Sequence, residues 1–78
     1  MSDLKEIFAD TVDAVHFTGD MVRLDFGTVQ PPEKEGGDPT IKQSFRVIMP
    51  LQGLLSTAES MQNLINKLTD AGILQKKG

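Results

Sequence analysis

The sequence predicts an α+β fold: a three-stranded antiparallel meander followed by one long C-terminal amphipathic helix packed on one face of the sheet. Three observations predict it. Residues 21–26 alternate apolar and polar, residues 30–40 collect prolines and glycines without a large apolar side chain, and an apolar stripe at three- and four-residue spacing runs from Leu51 to Leu68. The chain of 78 residues is expected to form a single domain, 1–78, with a flexible loop over 30–40.

The second strand is the plainest element. In Met21-Val22-Arg23-Leu24-Asp25-Phe26, Val22, Leu24 and Phe26 alternate with Arg23 and Asp25, the period-2 pattern of a half-buried strand. The segment before it, Thr11 to Phe17, is rich in β-formers and ends at Thr18-Gly19-Asp20-Met21. Glycine at the first central position of a two-residue loop suits a type II′ hairpin turn. If Gly19 and Asp20 are that loop, Phe17 faces Val22 and Val15 faces Leu24 on an apolar side. His16 then faces Arg23, and Ala14 faces Asp25, on a mixed side. A slip by one residue would destroy that agreement, so the register is specified.

The segment QPPEKEGGDPT, residues 30–40, is the loop, with three of the four prolines. The third strand follows over Ile41 to Met49, where Phe45, Val47 and Met49 alternate with Ser44, Arg46 and Ile48. The helix starts near Pro50 or Leu51, since proline fits a first turn where its missing N–H is not needed. A second start is open: Ser56-Thr57-Ala58-Glu59 matches a capping box, which would begin the regular helix at Thr57. Leu51, Leu54, Leu55, Ala58, Met61, Ile65 and Leu68 form the stripe that faces the sheet. Gly72 followed by Ile73 marks a Schellman-type end.

The pieces FADTVDAVHFTGDMVRLDFG and FRVIMPLQGLLSTAESMQNLINKL resemble a family of small bacterial and archaeal proteins classed as a domain of unknown function. Its members share a strand ending as Leu24-Asp25-Phe26 does, a variable loop, and a strand like Arg46-Val47-Ile48-Met49 that runs into a long helix. At the helix start they carry a Ser/Thr-Pro-Gln/Glu-His stretch. Here Pro50-Leu51-Gln52-Gly53 keeps only Gln52, so no role attached to that histidine carries over. The resemblance implies the strands-then-helix layout and implies no chemistry.

The residues themselves point away from catalysis. There is no cysteine for a thiol nucleophile or a disulfide, and His16 is the single imidazole, too few ligands for a tetrahedral zinc site. No serine lies near His16 and no Gly-x-Ser-x-Gly elbow exists. Asp10, Asp13, Asp20 and Asp25 lack the spacing of a calcium loop. An enzyme is therefore not expected, and no cofactor is expected. The acidic opening MSDLKEIFAD has no basic-then-apolar leader and no run is long enough to span a bilayer, so a cytoplasmic protein without a membrane partner is expected.

Small single cores supply only about 3–5 kcal/mol, and staples are usual at this size. With disulfides and zinc set aside, a second copy of the chain is the remaining staple. Val12, Met21, Ile48 and part of Ile7-Phe8 are left over once one sheet face is assigned to the helix. A homodimeric, non-enzymatic interaction or accessory module is therefore expected, with a further protein partner left open. Its candidate interaction residues are His16, Arg23, Arg46 and Ile48 on the sheet and Gln62, Asn63 and Asn66 on the amide-rich back of the helix. The alternative is a nucleic-acid- or ligand-binding regulator that uses His16, Arg23, Lys42 and Arg46 on the outer sheet face. A net charge of −3 and the absence of tyrosine and tryptophan weigh against nucleic acid.

Overall fold

In a computed structural model, which describes residues 3–75, three strands precede one helix. β1 spans Thr11–Thr18, β2 Met21–Gln30, β3 Thr40–Pro50 and α1 Leu51–Asp70. The strands form one antiparallel sheet in the order β1-β2-β3. The chain divides into two units, residues 1–48 and residues 49–78.

All four predicted cross-strand pairs occur: Phe17 with Val22, Val15 with Leu24, His16 with Arg23 and Ala14 with Asp25. The turn differs from the expected type II′. Gly19 has φ 60° and Asp20 φ 62°, and two positive values in succession make it type I′. Aspartate tolerates the left-handed region better than most side chains, which lets the tighter-matching turn form.

β2 runs four residues beyond Phe26 because β1's approach segment holds it. The Asp10 N–H donates to the Gly27 carbonyl at 2.9 Å, and the Val29 N–H donates to Asp10 Oδ2 at 2.7 Å. The connection between β2 and β3 shrinks accordingly to residues 31–39. Within it the Gly37 N–H donates to the Lys34 carbonyl at 2.9 Å, and Gly36, with φ 85°, fills the position where a type II turn needs a left-handed residue.

Between Val12 and Ala14 the register of β1 shifts. Val12 pairs with Phe26 and Ala14 with Asp25, so Asp13 is an extra residue, a β-bulge. The bulge turns Val12 onto the face of Val15 and Phe17, which strict alternation denies it. There Val12 joins Ile7, Phe26 and Phe45 around a shallow recess. Phe26 and Phe45 stack across β2 and β3 with centroids 4.8 Å apart and rings 3° from parallel. Among the described residues Val22 is the buried apolar side chain, at 2% exposure.

α1 is continuous from Leu51, so the later start at Thr57 is not taken. Pro50, in an extended conformation, precedes the first turn and makes no side-chain cap bond, and the capping-box residues lie inside the helix. The stretch 51–55 is helical despite Gly53, whose neighbours leave ordinary contact distances of 3.6 Å. The end matches the Schellman expectation. Gly72 has φ 77°, the Ile73 N–H donates to the Leu68 carbonyl at 3.0 Å, and the Gly72 N–H to that of Thr69 at 3.1 Å. The stripe expected to complete the core contains no buried residue. With Leu64 included, its apolar side chains cover about half the helix circumference, an arc wider than the narrow stripe of a helix with one covered side.

Candidate functional site

Alternation along β2 puts Arg23, Asp25 and Gly27 on the sheet face opposite Val22, Leu24 and Phe26. Asp25 is 3% exposed, the one buried charged residue among those described. Burial of a lone carboxylate is costly, so it must be paired and hydrogen-bonded. Arg46, from β3, meets it with two nitrogens: Nε donates to Oδ1 and Nη2 donates to Oδ2 at 3.0 Å. From β1, His16 Nε2 lies 3.3 Å from Oδ2. Asp25 thus ties the centre strand to both neighbours.

The electrostatics follow from that geometry. The Arg46 hydrogen bonds hold the Asp25 carboxyl below the usual carboxylate range, against the opposing effect of burial, and the Arg46 charge and the nearby His16 imidazole add to the lowering. The same contact raises the already high pKa of Arg46. His16 and Arg46 remain about half exposed while the carboxylate is covered. The arrangement binds strands together; it holds no nucleophile beside the imidazole.

Beyond Asp25, Gly27 is buried and closely approached by β3. A Cβ there would stand 2.6 Å from Ile41 Cγ2 and 3.0 Å from the Lys42 carbonyl oxygen. Gln43 Nε2 donates to Asp13 Oδ2 at 2.9 Å, joining the two outer strands over the glycine. The bulge supplies Asp13 for this bond. Glycine inside a strand pattern signals a bulge or a close backbone approach, and Gly27 is the sequence mark of both.

The candidate residues separate into two groups. His16, Arg23 and Arg46 share the polar face of the sheet. Arg23, opposite His16, donates from Nη1 to the Thr18 carbonyl at 2.8 Å. Ile48 alternates with half-buried Val47 and Met49, which puts it on the Arg46 side, exposed. On α1, Gln62 Nε2 donates to Asn66 Oδ1 at 3.0 Å, one turn apart, and Asn63 is exposed. Asp25, set opposite Ala14 by the sequence register, is the residue that His16 and Arg46 of the first group both meet.

Among the described residues no three His, Cys, Asp or Glu side chains gather in a way that would hold a metal ion. No described helix is long and apolar enough to cross a membrane. No protein-family model, curated protein or solved structure matches the chain.

Proposed function

We propose that the chain is a small interaction module that acts as a homodimer, an accessory or scaffold subunit rather than an enzyme. The observation that carries this reading is uncovered apolar surface. In the sheet Val15 and Phe17, and on α1 Leu55, Met61 and Leu64, are each more than half exposed.

The alternative reading, a basic face for nucleic acid or another anion, has less to draw on. Arg46 commits its fork to Asp25 and Arg23 bonds to the Thr18 carbonyl, so little free positive charge remains beside His16 and Lys42. Light scattering after size exclusion tests the proposal. The expected mass is twice 8.5 kDa, and a clean monomer at high concentration overturns it.

A further inference from the structure

The two outer strands of the sheet are guarded differently. Natural edge strands carry lysine, proline, bulges or inward charges that stop another strand from adding. β3 has Lys42, Arg46 and a terminal Pro50. β1 has a single bulge, at Asp13, whose carboxylate is tied to Gln43. From Ala14 to Thr18 it carries no Lys, Arg, Asp, Glu or Pro.

The ladder gives that unguarded stretch a direction. A two-residue turn closes on the pair Thr18–Met21, and antiparallel pairs alternate between hydrogen-bonded and non-hydrogen-bonded. Thr18, His16 and Ala14 therefore aim their backbone groups at β2, while Phe17 and Val15 aim theirs outward. The same two residues carry apolar side chains that are 61% and 59% exposed.

We propose that β1 of a second copy adds antiparallel to this edge, about a two-fold axis through His16, making one continuous six-stranded sheet. The inference rests on the self-association reading and names its surface. The bulge and the turn bound the regular stretch at Ala14–Thr18, and His16 is its centre. In that register Val15 and Phe17 of the partner subunit form a hydrogen-bonded pair, as do Phe17 and Val15 of the partner subunit. Ala14 faces Thr18 of the partner subunit, and His16 faces its own copy. Backbone direction and side-chain face agree at every pair. No carboxylate, lysine or arginine of the edge meets its like, so the surface suits a copy of itself.

Because the chain has no cysteine, one introduced thiol reports the register. His16→Cys places two thiols in a non-hydrogen-bonded pair with Cα atoms about 4.5 Å apart, within disulfide reach. It is expected to cross-link to twice 8.5 kDa under mild oxidation. Ala14→Cys separates the thiols by about 13 Å along the strands and is expected to stay unlinked. Val15→Lys, which places a charge on the edge, is expected to restore the monomer with an unchanged far-ultraviolet spectrum. A dimer that survives Val15→Lys, or equal cross-linking through both cysteines, overturns the edge and leaves self-association to another surface. A wild-type monomer overturns both. The cysteine pair decides the question even where Val15→Lys loses its fold.

Discussion

The two faces of β2 invert the usual expectation. On the polar face Asp25 is nearly inaccessible, covered by Arg46 and His16 from the neighbouring strands. On the apolar face Val22 is covered, yet the neighbouring Val15 and Phe17 of β1 lie mostly open. The polar face is completed within one chain. A carboxylate needs two or three directed partners, and a three-stranded sheet supplies them. Apolar area needs only extent, and extent is what a chain of 78 residues lacks.

The largest effect is expected where the polar face is tightest. Gly27→Val is expected to cost about 1–3 kcal/mol by overpacking, since its Cβ meets Ile41 and the backbone oxygen of Lys42. Thermal melting reads this as a fall of about 4–8 °C for each kcal/mol. A melting temperature equal to that of the parent would contradict the close approach of β3 to Gly27.

Asp25→Asn tests the charge itself. Because the folded carboxyl titrates below its unfolded value, the unfolded chain takes up its proton first as the solution is acidified. The wild type should therefore hold this stabilisation above about pH 4 and lose it as pH falls through the lowered pKa. In Asp25→Asn the acid side of the melting profile should be flatter. An identical acid profile would show that Asp25 is not held as described.

On the apolar face, Phe17→Ala should act differently. It removes a side chain that is mostly exposed in the lone chain, so the stability of dilute protein should fall by only about 1 kcal/mol. The wild type should melt higher as its concentration rises, and the variant should lose that dependence. The smallest effect belongs to the loop. A Gly-Ser pair inserted after Asp38 lengthens a connection that does not depend on either face, and should cost below about 0.6 kcal/mol in a denaturant titration.

The hairpin was legible because one feature, the turn at Gly19-Asp20, set a register that the apolar alternation independently required. The helix end was legible for a similar reason: Gly72 and Ile73 occupy positions that a single hydrogen-bonding motif assigns. The helix start was ambiguous because Ser56 to Glu59 satisfies a local cap, while the continuous backbone ladder from Leu51 satisfies more groups. The bulge broke the reading of β1. Counting by twos from Phe17 put Asp13 on the apolar side and left Val12 unplaced. Of the site, His16 and Arg46 were found as types on a face. The burial of Asp25 was not, because it depends on a guanidinium 21 residues away in sequence whose partner only the strand order selects.

The extra residue in β1 acts on the sheet as a frameshift acts on a reading frame. Along most of a chain, a one-residue change in length is absorbed by the nearest loop. At Asp13 it is not absorbed, because the strand continues on either side and the two sides of the sheet alternate. Loss of that one residue would leave everything from Ala14 onward in place and send Thr11, Val12 and the arm before them to the opposite side. Val12 and Ile7 would leave the apolar recess, and Gln43 would lose the carboxylate it bonds. The position records, in a single residue of length, which side of the sheet Thr11, Val12 and the described arm before them serve.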